Sequence, residues 1–511
     1  MSFFPSFFSS LFSTRRAGTY AAAAALALLF VVAGCDSRYE DVNTNPNEPK
    51  QVSPDLLLPN ILRSSVNTSV NTAHTTGNLV LQYTAKVSFN TGIDRYDWAG
   101  VGYWEPLYAD LRDVQEMIRI ARDRESPNYD GPSFQGTGLV LKSWMFSMLT
   151  NAYGDIPYSE AIGANAGENT PAYDKQEKVY KGLLSDLKKA NDLIQPGSPQ
   201  PFQGDLLYNG DRMKWKKLAN SLRLRLLMRL SEKKADIDGV DVEAQFREII
   251  NNPSQYPIFT SNEANAALEY QSSRPNEWPR HTSRVGTFRT YKMSKTLTDS
   301  LRRFDDPRLS VFGDTTAAPV QDVTCDTLRT YVGVPNGLTD DASDGYNGGR
   351  DCQSSLNTSR YFDQPNAAKG LIMTHAEVLF LRAEAAARGW TSEDAESLYE
   401  DGIEASMKQY GQQVPSGYFS QPGVQFASNQ ALKQIGTQKW IALFYTGLEG
   451  WFNWRRTGYP AIKPPERNVN GEIPVRFRYP DSEQALNLEN YQKAVDSQGP
   501  NNINTEMWLL E

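Results

Sequence analysis

The residues able to do bond-breaking chemistry are few. Among 511 residues there are three His and three Cys. His74, His281 and His375 stand far apart, and none forms a ligand-spaced pair with another. No His-Glu-x-x-His, Gly-x-Ser-x-Gly, phosphate-loop or dinucleotide-binding glycine pattern occurs. Carboxylates are plentiful, but no two stand in the apolar strand-end setting that marks a glycosidase-type acid pair. The sequence therefore predicts a non-enzyme with no metal and no cofactor. His375, at a helix start, reads as a packing or capping residue, and His281, in a polar loop, as a possible ligand contact. Cys35 is a different case. Arg15 and Arg16 precede an uncharged run to Gly34, apolar throughout from Ala21 to Val32, which ends in Val32-Ala33-Gly34-Cys35. That is a basic region, a short apolar region and a bacterial lipobox, in which the peptide is cut before the Cys and lipid is placed on it. Two-signal lipidation of this kind holds a protein on a bilayer. A transmembrane helix or an ordinary secretory signal is the alternative, but the apolar run is short for a span.

With Cys35 assigned to lipid, Cys325 and Cys352 remain. Outside the cytoplasm this even pair predicts a disulfide, with two free thiols as the alternative. The chain carries 52 Lys+Arg and 60 Asp+Glu, a net charge of −8. Losing the two Arg of residues 1–34 makes it −10. That balance speaks against a nucleic-acid partner, since phosphate binding needs a basic surface. The chemistry that remains is non-covalent capture. The 10 Trp, 25 Tyr and 22 Phe supply apolar faces, and planar amides and guanidinia supply hydrogen bonds. Three loops combine the two. The first, 90–103, groups Arg95, Tyr96, Asp97 and Trp98. The second, 272–291, holds Asn276, Trp278, Arg280 and His281. The third runs from Tyr331 to Asn336 and Gly337, where Gly and Asn suit a tight turn. These residues are expected to expose aromatic faces to a glycan or peptide.

Such loops need a rigid support, and periodicity predicts a helical one. Trp104, Leu107, Tyr108, Leu111, Val114 and Ile118 fall on one helix face. Residues 139–153 form a more apolar, central helix. A stripe of Tyr180, Leu183, Leu184, Leu187 and Ile194 follows Asp174 and Glu177, which resemble a capping box. Trp215, Leu218, Leu222, Leu226 and Leu230 mark another helix. Its off-stripe Arg223, Arg225 and Arg229 read as a solvated or salt-bridged face in preference to an anion site. From Thr374 to Tyr410 two helices are broken at Gly389-Trp390. Their small residues and Ala-x-x-x-Tyr spacing look like a tetratricopeptide unit, with 104–124/137–153 and 174–195/213–232 as further irregular units. Regular periodicity mostly fails over 251–373, which marks a functional insert. The division is signal 1–34, lipidated Cys and tether 35–55, and one helical domain 56–511.

Several phrases then resemble one family. They are Thr150-Asn151-Ala152-Tyr153-Gly154-Asp155-Ile156-Pro157-Tyr158, Pro171-Ala172-Tyr173-Asp174, His375-Ala376-Glu377-Val378 with Leu381-Arg382-Ala383-Glu384-Ala385, Gly447-Leu448-Glu449-Gly450-Trp451-Phe452-Asn453-Trp454-Arg455-Arg456, and Ile473-Pro474-Val475-Arg476. In order along the chain they resemble the SusD/RagB family of nutrient-binding outer-membrane lipoproteins, closest to the SusD-like group two branch. The resemblance implies an all-α fold of tetratricopeptide-like pairs packed against a looped binding region. It implies a surface lipoprotein that passes oligosaccharide, peptide or another nutrient to a SusC/RagA-type TonB-dependent transporter. A structural or adhesive lipoprotein is the alternative. Asp36 is an inner-membrane signal under other bacteria's sorting rules, yet the resemblance favours the outer membrane. The Trp451–Arg456 knot reads as a structural corner, with Arg stacked on indole and paired to Glu449 or a similar acid.

Overall fold

Alternating apolar stripes and polar caps set out the helices of this computed structural model. It describes residues 52–511 apart from 90, 124–127, 162–169, 236, 283–287, 317–324 and 327–328. The lipobox, Cys35 and the tether up to residue 51 lie outside the described residues. Helix α1 (Pro54–Thr72) starts on proline, whose missing N–H costs nothing in a first turn. It buries Leu58, Ile61, Leu62, Val66 and Val70 and continues into a π turn that carries His74 into the core. Strand β1 (Thr84–Lys86) follows. Helix α2 (Trp104–Asp123) buries Leu107, Leu111, Val114 and Ile118, the stripe the spacing predicts. Helix α3 (Gly131–Tyr153) is capped by Asp130, which accepts the Ser133 N–H at 3.1 Å. It is buried on nearly every face, as its apolar sequence requires. Gly154, at φ +86°, ends it, and a Cβ there would run into Gln498.

Strands β2 (Ile156–Pro157) and β3 (Tyr173–Asp174) pair antiparallel. Helix α4 (Gln176–Leu193) then begins later than the capping-box reading places it. Asp174 does not cap it. Its carboxylate accepts the Ser159 N–H at 2.6 Å and Oγ–H at 2.7 Å and pairs with Lys178. Asp155, from the preceding turn, accepts the Gln176 N–H at 2.8 Å instead. Helices α5 (Arg212–Arg229) and α6 (Val242–Asn251) are capped by Asp211 and Asp241. The long irregular region contributes β4 (Ala266–Glu269), β5 (Tyr291–Met293), helix α7 (Lys295–Arg303) and β6 (Lys369–Met373). Two-stranded antiparallel pairs β1–β5 and β4–β6 anchor it, and Cys325 and Cys352 are joined by a disulfide within it, Cα–Cα 5.3 Å. Helices α8 (His375–Ala387), α9 (Ala395–Gln409), α10 (Ala431–Ala442), α11 (Glu449–Thr457) and α12 (Leu488–Gln498) complete the chain.

The helices pack in sequence: α2 on α3, α3 on α4, α4 on α5, and α8 on α9. The last pair is the tetratricopeptide-like unit. Gly402 lets it close, since a Cβ there would stand 2.8 Å from the Phe380 ring. Helix α5 packs against α4, α6 and α8, so the arginines read as a solvated or salt-bridged face are buried. Arg225 donates through Nε and Nη2 to Glu377 at 2.8 and 2.5 Å, and Arg229 reaches Glu449 at 2.6 Å. Arg223 lies over the Tyr256 ring. Arg456 forks onto Glu384 at 2.5 and 2.7 Å, and with its neighbours it holds that carboxyl down to about 2 against the opposing effect of burial. Arg455 stacks on Trp451, 4.3 Å from the ring centre. The corner is structural, but its acid is Glu384, because Glu449 is already taken by α5.

Candidate functional site

The loops on either side of β1–β5 are gathered by one buried carboxylate. In the pairing, Thr84 faces Met293 and Lys86 faces Tyr291. Beyond Lys86 the chain turns back, and the Asp94 side chain accepts three hydrogen bonds. They come from Asn336 Nδ2 at 2.6 Å, the Gly337 N–H at 3.0 Å and the Lys86 N–H at 3.3 Å. Asn336 also donates to the Thr84 carbonyl at 2.7 Å and accepts from Ser294 Oγ at 2.6 Å. Asp340 accepts the Thr91 N–H at 3.3 Å, and Ser343 Oγ donates to the Val87 carbonyl at 2.5 Å. Ala85, Val87 and Val334 form a small apolar cluster beneath. Gly337 has φ +73°, and a Cβ there would meet the Pro465 ring at 2.3 Å. That close approach seats the 463–470 segment, which Arg95 also holds by donating Nε to the Arg467 carbonyl at 2.9 Å.

Burial pushes the Asp94 carboxyl up to about 7, while the bonds from Gly337, Asn336 and Lys86 oppose the shift. Burial also lowers Lys86, opposed by Asp340 and Asp94. Its ammonium sits 5.5 Å from the Tyr291 ring centre. Around this hub the surface is mostly polar, with the apolar Phe89 and Val469 exposed on it. Phe89 is 67% exposed. Farther along, a hollow of about 330 Å³ is lined by Tyr96, Asp97, Trp98, Asn470, Arg478 and Asn502. A second of about 180 Å³, sharing Arg478, reaches Trp104, Glu105 and Asp481. Amides, carboxylates and an exposed guanidinium beside aromatic edges suit a polyhydroxylated ligand. Among the described residues no group of three or more His, Cys, Asp or Glu is placed to hold a metal ion.

The indoles expected as open platforms are not open. Trp98 is 3% exposed and sits edge-on between Trp451 and Phe477, with its N–H on the Ile93 carbonyl at 3.2 Å. Trp278 is wholly buried among Tyr270, Tyr361 and Tyr445, with its N–H on the Tyr361 carbonyl at 2.9 Å. Both are core residues, which corrects the expectation of exposed faces. Tyr96 is buried too, and burial raises its phenol. Asn276 accepts from Arg63 at 2.9 Å on α1, away from the hub. Tyr331 lies earlier on the third loop, where its carbonyl accepts from Arg302. Arg280 is half-buried, and its charge acts on Lys86 and Tyr291 of the β1–β5 pair. After burial itself, Arg280 and then Lys86 hold His74 well below the usual imidazole range. His281 stands 3.2 Å from the Asp363 carbonyl. Thus Arg95, Tyr96, Trp98 and Asn336 gather around Asp94, whereas Asn276, Trp278 and Tyr331 do not. Phe89 was missed because it precedes the first loop by one residue. Its setting, Ser88-Phe89-Asn90-Thr91-Gly92, is a large apolar residue inside a turn-rich stretch and was the available signal.

A SusD-like family model, described as starch-binding and associating with the outer membrane, matches residues 46–480. A SusD homologue from Bacteroides fragilis is similar at 27% identity and TM-score 0.75, covering 90% of this chain and 100% of its own. A Bacteroides vulgatus outer-membrane protein described as probably involved in nutrient binding is similar at 26% and 0.77, with the same coverage. A chitin-binding protein is similar at 27% and 0.72, covering 89% of this chain and 99% of its own. No curated protein matches the chain.

Proposed function

The chain belongs to the SusD-like family, and from that premise we propose that it is a non-catalytic, lipid-anchored protein of the outer-membrane surface that captures an oligosaccharide. Cys35 carries the lipid, and a SusC/RagA-type TonB-dependent transporter receives the ligand. The observation that carries the reading is the loop surface organised by Asp94, with Phe89 exposed at its tip and the amide-lined hollow around Arg478 at its far end. An exposed ring gives a sugar an apolar face, while fixed amides and a guanidinium order its hydroxyls. The family description and the chitin-binding relative support a glycan over a peptide.

A glycan-binding screen of the full chain in detergent tests this. The expected result is saturable binding of an oligosaccharide that weakens about fivefold in Phe89→Ala, as loss of one ring contact of about 1 kcal/mol requires. If no glycan binds, or if Phe89→Ala and Arg478→Ala both bind as tightly as the parent, the assignment is wrong.

A further inference from the structure

Two hollows meet at one guanidinium. The larger, of about 330 Å³, and the smaller, of about 180 Å³, both have Arg478 in their lining. The backbone on either side of it is fixed. Phe477 donates its N–H to the Ala152 carbonyl at 2.7 Å. Tyr479 donates its N–H to Asn501 Oδ1 at 2.8 Å and its hydroxyl to the Asp155 carbonyl at 2.6 Å. Both neighbours are buried, while the Arg478 side chain is exposed and, among the described residues, pairs with no carboxylate. One loop lines both hollows: Asp97 and Ala99 the larger, Gly100, Gly102 and Glu105 the smaller. A Cβ on Gly100 would meet nothing within 4 Å, so the wall is low where the two adjoin. The polar groups that a ligand would meet are accessible, since Asp97, Glu105, Asp481 and Asn502 are all exposed. Asn502 accepts the Asn504 N–H at 2.9 Å and keeps its Nδ2 for a ligand. Glu105 accepts the Ser482 hydroxyl at 3.0 Å through one oxygen and keeps the other.

The smaller hollow, near 180 Å³, lies below the roughly 300–1,000 Å³ of pockets that enclose a drug-sized ligand. It takes one sugar ring, and the larger hollow takes another. A guanidinium carries its donors in a rigid planar fork, so Arg478 can serve oxygens on both sides at once. Three carboxylates against one guanidinium disfavour an acidic glycan. We propose that the hollows are two adjoining subsites for consecutive rings of an uncharged oligosaccharide, bridged by Arg478. Hydroxyls of one ring donate to Asp481 and Glu105, and the other ring lies between Asp97 and Asn502. The proposal rests on the glycan reading above and adds the least length and the charge of the ligand.

Titration of the full chain in detergent with N-acetylglucosamine and chitobiose, and with glucose and maltose, tests it, the monosaccharides being followed by ligand-observed NMR. In the series that binds, the disaccharide is expected to bind about tenfold or more tightly than its monosaccharide, as the charge-assisted contacts of a second ring require. Asp481→Ala is expected to weaken the disaccharide about fivefold and leave the monosaccharide, seated in the larger hollow, unchanged. Asn502→Ala weakens both, and digalacturonate binds about tenfold or more weakly than the neutral disaccharide. The proposal alone is overturned if a sugar binds but the disaccharide gains nothing over the monosaccharide, or if Asp481→Ala affects both alike or neither. It is equally overturned if Asn502→Ala leaves both unchanged or if digalacturonate binds as tightly. If neither series binds, the glycan reading falls and the proposal with it.

Discussion

Replacing Asp94 with Ala removes the acceptor that gathers the loop surface. Three donors lose it. Asn336 Nδ2 keeps the Thr84 carbonyl, and the Lys86 N–H bond is long at 3.3 Å, so each of these losses is modest. The Gly337 N–H loses a 3.0 Å bond in a buried position, which costs about 1–3 kcal/mol. With about 1 kcal/mol for the other two together, the expected destabilisation near pH 5.5 is about 2–4 kcal/mol. The effect depends on pH. The Asp94 carboxyl is raised from 3.8 to about 7 in the folded chain. Its protonation therefore favours the fold, fully below 3.8, and that contribution is lost as pH rises through 7. Between pH 5.5 and 7 the parent loses about 2 kcal/mol at about 1.4 kcal/mol per pH unit, and the Ala variant does not. The difference between the two proteins should thus shrink by about 2 kcal/mol from pH 5.5 to pH 8. Urea unfolding at both pH values measures it, and amide exchange at Gly337 reports the local loss. A penalty that is constant or larger at pH 8, or a Gly337 amide as protected as in the parent, would refute the reasoning.

Glu377→Ala should cost about 3–5 kcal/mol in urea unfolding, because it leaves the buried Arg225 guanidinium with Glu449, at 3.5 Å, as its remaining acid; a loss under 1 kcal/mol contradicts the buried pairing. Trp278→Ala should cost about 3–5 kcal/mol of stability, and at temperatures where the variant remains folded its ligand affinity should match the parent's. His375 is lowered to about 4, mainly by burial with Arg382 adding to it, so its contribution is present above 6.5 and is lost as pH falls toward 4. His375→Gln should flatten that acid limb of a melting-temperature profile, and an unchanged limb contradicts the assignment.

The helical support was legible because its signals are local. The stripe of Leu107, Leu111, Val114 and Ile118 and the Gly389 break needed only neighbours within a few turns. The Arg455–Trp451 stack was readable for the same reason, since both lie on one short helix. What escaped depends on distant partners. Arg225 finds Glu377 across 152 positions and Arg229 finds Glu449 across 220, so a row of arginines that looked surface-facing is interior. Trp278 reads as an exposed loop aromatic until the Tyr361 carbonyl, 83 positions away, takes its N–H. Asp94 and Asn336 meet across 242 positions, so the loops were identified as polar and aromatic but the residue that joins two of them was not. Asp174 shows the same limit on a smaller scale: its spacing to Glu177 fits a cap, yet Ser159 and Lys178 claim the carboxylate.

The central claim is that the surface gathered by Asp94 captures an oligosaccharide. Hydrogen exchange of the full chain, with and without saturating chitin or starch oligosaccharide, tests it most directly. The account predicts added protection in residues 87–97, 336–340 and 469–470, with the helical pair α8–α9 unchanged. Protection confined to α8–α9 or spread evenly over the chain, or none with either glycan at saturation, would contradict it.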